Sequence, residues 1–289
     1  MDTASRIDDA LQGAVAGLDS SDAPPRTAAA IRHAVFPGGS RIRPRLCLAV
    51  AMACGDDDPA TANVAAAAIE MLHCASLVHD DLPCFDDAAM RRNRPTVHRA
   101  FGEREAVLAG DALIVMAFEA LARNLPRSPE RTAQLLATVA AALSMPSGII
   151  AGQAWECEPV VDLRAYQRAK TGALFVAATV AGAQAAGAPG GSWRTLGARL
   201  GEAYQIADDI RDVAARPEEV GKPVGRDRAL GRPNAVEELG MDAAVERFTS
   251  LVGNAVASIP RCPGQDLLRH LIRAESERLI PEEYLARAA

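Results

Sequence analysis

Helix follows helix along this chain, and several of the helices are apolar on almost every face. The stretches 62–81, 106–125, 131–145, 171–187 and 193–215 all read as helices, joined by turns rich in Pro, Gly and Asp. A helix with no polar face has to be covered by other helices, so the pattern predicts a layered bundle. About a fifth of the chain is alanine, the best helix former, while aromatic residues make up 4%. Strand-like alternation is correspondingly hard to find. No repeat and no long linker interrupts the 289 residues, so residues 1–289 are expected to form one all-α domain. Residues 217–234 are the one long irregular segment, of a size usually reserved for function.

Composition closes off several classes of function. A hydrophobic share of 49% against 24% charged residues excludes a disordered chain. A net charge of −6 without long basic runs argues against nucleic acid as a partner. No run approaches eighteen uncharged apolar residues, so no membrane span is expected. The opening MDTASRIDDA lacks a secretory signal, and the six cysteines form no CxxC pair and sit mostly in apolar stretches. Together these predict reduced, buried thiols in a cytoplasmic protein.

Two acidic clusters stand out. The helix over 62–81 runs apolar and then presents His79, Asp80 and Asp81, after which Leu82-Pro83 breaks the turn and Asp86 and Asp87 follow. The helix over 193–215 likewise presents Asp208, Asp209 and Asp212, with Asp208 and Asp212 stacked one turn apart. Like charges so placed repel unless a cation lies between them, and carboxylates without nitrogen or sulfur partners suit Mg²⁺. Mg²⁺ also binds phosphate oxygens, so two such clusters facing one cavity predict a diphosphate substrate. A third run, Asp56-Asp57-Asp58, lies between Gly55 and Pro59 and reads as a solvated loop. Lysine adds a second clue. Of the 31 basic residues only Lys170 and Lys222 are lysines, which suggests places where a compact ammonium is required.

DDLPCFDD followed by Arg91-Arg92, together with Gln205 and DDIRD, resembles the two Asp-rich motifs of the trans-isoprenyl diphosphate synthases. PGGSRIRP (37–44), AGD (109–111), GQ (152–153), KTGALF (170–175) and GKPVGRD (221–227) match the same family in order. GQAWE, RPNAV and IPRCPG are similar to the geranylgeranyl diphosphate synthases of purple photosynthetic bacteria, which feed carotenoid and bacteriochlorophyll synthesis. The resemblance implies the isoprenoid synthase fold, helices around a central cavity. It also implies head-to-tail condensation of isopentenyl diphosphate with an allylic diphosphate (dimethylallyl, geranyl or farnesyl), and a homodimer.

Carried over position by position, the resemblance implies that Asp80, Asp86, Asp208 and Asp212 hold Mg²⁺, with Asp81 and Asp209 orienting those ligands. Arg91, Lys170 and Lys222 would grip the allylic diphosphate, while Thr171 and Gln205 face the reacting carbons. Arg43, Arg92 and His73 would hold isopentenyl diphosphate; His73 lies close to two turns before Asp80, on the same helix face. His79 and His98 are expected in supporting roles, and no side chain is named as the base, because the released diphosphate can take the proton. One departure is plain: Ser40 stands where the family has a lysine, so either Arg41 compensates or the isopentenyl site is weaker.

Product length is expected to depend on the residues before Asp80. Family members that stop at fifteen carbons often carry an aromatic five residues earlier, about 7.5 Å deeper along the helix. Here Ala75 and Ser76 leave that depth open, so geranylgeranyl diphosphate is favoured over farnesyl diphosphate. A class I terpene cyclase would need a hydroxyl and a Glu where Asp212 and Arg216 stand. A non-catalytic partner subunit would be expected to lack the Asp-rich motifs, and a Mg²⁺-dependent hydrolase would need a base to activate water.

Overall fold

The computed structural model describes residues 2–214, 234–281 and Tyr284. The helices in chain order are α1 (Thr3–Val15), α2 (Pro25–Val35), α3 (Ile42–Cys54), α4 (Pro59–Asp80), α5 (Val97–Phe101), α6 (Glu103–Arg123) and α7 (Pro129–Leu143). They continue as α8 (Ile149–Trp155), α9 (Leu163–Gln167), α10 (Ala173–Ala185), α11 (Arg194–Ala214), α12 (Ala235–Leu239), α13 (Met241–Ala257) and α14 (Gln265–Glu277). The all-α reading holds, with helix boundaries within three residues of those expected. Between α9 and α10 the backbone winds as one π-helical turn, Arg168–Gly172. Among the described residues the only strands are β1 (Met90–Arg91) and β2 (Arg94–Pro95), an antiparallel hairpin with Arg91 opposite Arg94. Arg92 and Asn93 make its turn, both at positive φ, as a two-residue hairpin of the type I′ class demands.

α4 is the axis of the molecule. Its sides pack against α6, α3, α10, α1 and α2, and its alanines let those neighbours approach closely. α10 plays the same part on the other side, against α3, α7, α11 and α4. One apolar core joins these helices, and a smaller cluster of Ala203, Ala207, Ile210, Val245, Phe248 and Leu251 ties α11 to α13. Among the described residues α4 alone is long and apolar enough to cross a membrane, yet 78% of its most apolar window is buried within the protein.

Two expectations need correction. Asp56-Asp57-Asp58 is a structural hub rather than a solvated loop. Asp58 caps α4, accepting from the Thr61 backbone N–H (3.3 Å) and hydroxyl (2.7 Å), with Pro59 at the first helical position. It also accepts from Arg127 (2.8 Å) and Ser128 (2.8 Å). Against the cost of burial, these hydrogen bonds hold its carboxyl well below the usual carboxylate range. Asp57 pairs with Arg131 and Asp56 with Arg6. The cysteines are all free, but only Cys47 and Cys74 are buried, with thiols pushed up to about 12 by burial. Cys54 and Cys262 are half-buried, and Cys84 and Cys157 are exposed because they sit in loops at helix ends.

Candidate active site

The first acidic motif is delivered by the end of α4. Pro83 cannot continue the helix, and the chain folds back so that its N–H groups satisfy the last carbonyls. Asp86 donates to the Asp80 carbonyl (2.9 Å), Asp87 to that of Leu82 (3.0 Å) and Ala88 to that of Asp81 (3.2 Å). This turn brings half-buried Asp86 back beside Asp80. Asp80 is 6% exposed, and burial raises its carboxyl pKa; Lys170 opposes the shift, and Glu156 and Asp86 add to it. Its Oδ1 lies 3.6 Å from Lys170 Nζ and accepts from Gln153 Nε2 at 3.1 Å. Asp81 is equally buried and is gripped by Arg91 at 2.5 and 3.1 Å. Burial raises the Asp81 carboxyl too, with Arg91 opposing.

The second motif lies on α11. Asp208 is half-buried and paired with Arg211 at 3.0 Å, and Asp212 is buried. Asp209, 2% exposed, accepts from Gln205 Nε2 (3.0 Å) and from the Ala235 backbone (2.9 Å). Gln205 in turn accepts from the Thr171 hydroxyl at 2.8 Å. Lys170 and Thr171 both belong to the π-helical turn, a distortion that often marks functional positions because it re-aims consecutive side chains. The run Asp80, Lys170-Thr171, Gln205, Asp209 therefore connects the two acidic motifs through contacts of 3.6 Å or less.

A different chemistry occupies the flank of α4 two turns earlier. Arg43 is buried, its guanidinium 4.9 Å from the Phe175 ring centre and 5.6 Å from that of Tyr204. Its Nη1 lies 3.4 Å from His73 Nε2, and its buried Nε has no hydrogen-bond partner. Burial lowers the Arg43 pKa, with Tyr204, Glu70 and Asp208 opposing the shift. Burial, with Arg43, Arg92, Arg91 and Arg41 around it, holds His73 well below its ordinary pKa, as a neutral imidazole. Because a guanidinium only donates, His73 Nε2 is the acceptor and the ring proton sits on Nδ1.

Glu70, 1% exposed, organises this flank by pairing with Arg41 at 2.6 Å and Arg92 at 3.8 Å. The Gly38-Gly39 pair is needed because both guanidinium groups lie against it. A Cβ at Gly38 would stand 2.1 Å from Arg41 Cζ, and one at Gly39 would stand 2.8 Å from Arg92 Nε. Arg41, which also donates to the Val35 carbonyl at 2.7 Å, is thus a buried strut. Ser40, where the family has a lysine, is exposed beside it.

The remaining expected residues are placed as follows. Ala75 and Ser76 lie in the buried face of α4. Cavities of about 640 and 860 Å³ open on either flank of the α10–α11 pair, the first reaching Phe175 and Tyr204, the second Gln205 and Asp209; neither is lined by Ala75 or Ser76. His79 lies 3.7 Å from Asp111, and buried His98 contacts Thr96 at 3.1 Å and Asp87 at 3.6 Å. Lys222 and Arg216 fall outside the described residues. The sequence reading missed Glu70, Gln153, Glu156, Tyr166, Phe175 and Tyr204. Glu70 carried a signal, since a lone acid in an otherwise apolar helix must find a cation.

Among the described residues no three of the His, Cys, Asp and Glu side chains are drawn together tightly enough to hold an ion unaided. The donor set still fits Mg²⁺, which takes one or two carboxylates and completes its octahedron with water and phosphate oxygens. Asp80 is buried, with Lys170 as its nearest cation and Glu156 and Asp86 as neighbouring acids.

The sequence model of the polyprenyl synthetase family matches residues 24–260. The chain is 53% identical over 282 residues to a protein of Cereibacter sphaeroides named geranylgeranyl diphosphate synthase, covering 98% of each chain. It is 47% identical over 275 residues to the Rhodobacter capsulatus protein of that name, covering 95% of each. A solved geranyltransferase from Helicobacter pylori, complexed with magnesium and isoprenyl diphosphate, superposes with a TM-score of 0.78 at 29% identity, over 96% of this chain and 98% of that one.

Proposed function

Because this chain belongs to the polyprenyl synthetase family, we propose that it is a prenyltransferase that makes geranylgeranyl diphosphate from isopentenyl and allylic diphosphates. The observation that supports the reading is the chain of contacts from Asp80 through Lys170-Thr171 and Gln205 to Asp209, with Arg91 on Asp81, which links the two acidic motifs. The names of the two bacterial relatives support the product.

Asp80 and Asp86 on one side, and Asp208 and Asp212 on the other, would hold Mg²⁺ against the allylic diphosphate. The metal, when bound, supplies positive charge to the leaving diphosphate as the C–O bond ionises. Lys170 and Arg91, with Lys222, grip the same group. Asp209 orients Gln205, and the Gln205 carbonyl accepts the hydrogen bond of the Thr171 hydroxyl, so the lone pairs of Thr171 face the allylic carbon and steady its positive charge. Arg43, Arg92 and His73 hold isopentenyl diphosphate with its alkene toward that carbon. The buried, largely apolar surroundings keep water from the cation. The proton lost after coupling passes to the released diphosphate.

Ala75 and Ser76 admit the longer tail, so Ala75→Phe should shift the product from twenty carbons to fifteen. The exposed apolar face of α6, with Val107, Leu108 and Val115, supports a homodimer. Six free cysteines suit a reducing cytoplasm, and carotenoid or bacteriochlorophyll synthesis is the natural outlet for a twenty-carbon product. The test is to incubate the purified protein with Mg²⁺, isopentenyl diphosphate and each allylic diphosphate, then identify the prenyl alcohols. A fifteen-carbon end product would favour farnesyl diphosphate synthesis, and no condensation with any primer would overturn the reading.

A further inference from the structure

α8 is a short helix, yet its end addresses the allylic side of the site at three points. Gly152 meets the backbone of Lys170 so closely that a Cβ there would lie 2.3–2.7 Å from Lys170 N, Cα and Cβ. Gln153 donates to Asp80 Oδ1 and to the Ser76 carbonyl, both at 3.1 Å. Glu156, at the helix C-cap and one turn on from Gly152, places Oε2 2.5 Å from Lys170 Nζ. The other oxygen, Oε1, accepts from the Tyr166 hydroxyl at 2.8 Å, and the Tyr166 ring lies 5.9 Å from the same ammonium. Lys170 is thus fixed at its root by Gly152 and at its tip by Glu156, which sits closer to it than Asp80 does at 3.6 Å.

We propose that Glu156 is a positioning residue, a stand-in counter-ion that holds the Lys170 ammonium until a substrate diphosphate takes its place. The inference rests on the prenyl-transfer reading above. A mostly buried ammonium needs an anion when no substrate is bound, and Glu156 provides one without using the carboxylates assigned to Mg²⁺. Tyr166 holds the Glu156 carboxylate in place to meet the Lys170 ammonium. Holding Lys170 weakens binding of the allylic diphosphate, both by competing for the cation and by leaving a like charge nearby. The same competition helps Lys170 let go of the diphosphate product.

The test compares the full-length wild type with Glu156→Gln, Glu156→Asp and Tyr166→Phe. Steady-state kinetics are measured for each substrate separately, alongside direct binding of the non-ionising thiolo analogue of geranyl diphosphate at fixed Mg²⁺. Glu156→Gln should tighten analogue binding and lower the allylic KM by about three- to tenfold. It should leave the KM for isopentenyl diphosphate and the Mg²⁺ half-saturation unchanged, and lower kcat as product diphosphate leaves more slowly. Glu156→Asp, which keeps the charge, should return the allylic KM toward wild type. Should Glu156→Gln fold poorly, Tyr166→Phe should show the same allylic-only change, smaller. Weaker analogue binding, equal shifts in both KM values, or a displaced Mg²⁺ dependence would overturn the proposal. Wild type that condenses no substrate sinks the prenyl-transfer reading itself, whereas active wild type with an unmoved Glu156→Gln sinks this proposal alone.

Discussion

Along α4, two clusters of ionisable side chains are built in opposite charge. Around Glu70 and His73 the helix meets Arg41, Arg43 and Arg92, and a single buried carboxylate is shared between two of them. About 10 Å further along, Asp80, Asp81, Asp86 and Glu156 gather around Lys170 and Arg91. One end has positive charge to spare and the other has negative. A diphosphate that must stay intact can be held by the arginine end directly. A diphosphate that must leave gains more from a mobile divalent ion, because the ion takes up charge as the bond breaks, and carboxylates are what hold such an ion. On the function proposed above, the difference between the ends is the difference between binding and activation.

The sharpest way to break this comparison is to neutralise one acid. Asp80→Asn should lower kcat about 10²–10³-fold or more while leaving the isopentenyl diphosphate KM nearly unchanged. Burial raises the Asp80 pKa, so its ionised form costs folding stability at neutral pH; the cost is absent below the carboxyl's ordinary 3.8 and grows as pH rises through the raised value. Asp80→Asn should therefore raise the melting temperature at pH 7.5 by a few degrees, Lys170 keeping Glu156 as its partner. An inactive variant that is also less stable would show that Asp80 is first a structural residue. The converse change is Arg43→Ala, which should raise the isopentenyl diphosphate KM about 10–100-fold. The allylic KM should hardly move, and equal effects on both would erase the distinction between the ends.

A smaller effect comes from His73. The unfolded chain takes up a proton near the ordinary pKa of 6.5, whereas the native imidazole, buried among arginines, resists it until well below. Stability should be complete above pH 6.5 and fall as pH drops, by at most about 1.4 kcal/mol per pH unit. His73→Gln should remove that part of the decline in urea denaturation between pH 7.5 and 5.5. Identical curves for variant and wild type would mean that burial and the surrounding arginines do not depress the imidazole.

How much of this could be read before any coordinates follows from what each residue depends on. The aspartates at the ends of apolar helices were legible because an acid there has no local partner to explain it. Asp56-Asp57-Asp58 was misread for the opposite reason. Its partners Arg6, Arg127 and Arg131 lie far away in sequence, and only the Asp58-Pro59-Ala60-Thr61 cap was local enough to see. Glu156 was in view as part of GQAWE, but its meaning lies in a 2.5 Å contact with Lys170, in the π-helical turn beyond α9. The hairpin that turns Arg92 back toward Gly39 was hidden because arginine seldom adopts positive φ. In each case local chemistry was readable, and pairing across the fold was not.

The smallest change tests the arginine end at its one departure from the family. Ser40 is exposed beside Gly38-Gly39, and Arg41 cannot serve in its stead while it is bound to Glu70 and the Val35 carbonyl. Ser40→Lys adds a solvated cation at the rim of a site already rich in guanidinium groups, so its gain is that of a surface ion pair. The isopentenyl diphosphate KM should fall about two- to fivefold at low ionic strength, and the gain should fade as salt is raised. Glu70→Gln in the same background should then raise that KM again, because Arg41 and Arg92 lose the anion that aligns them. If Ser40→Lys leaves the KM unchanged while Arg43→Ala raises it, the diphosphate lies deep against His73 and Arg43, out of reach of the loop. If both variants shift it, the site extends from the helix to the loop, and position 40 sets its outer edge.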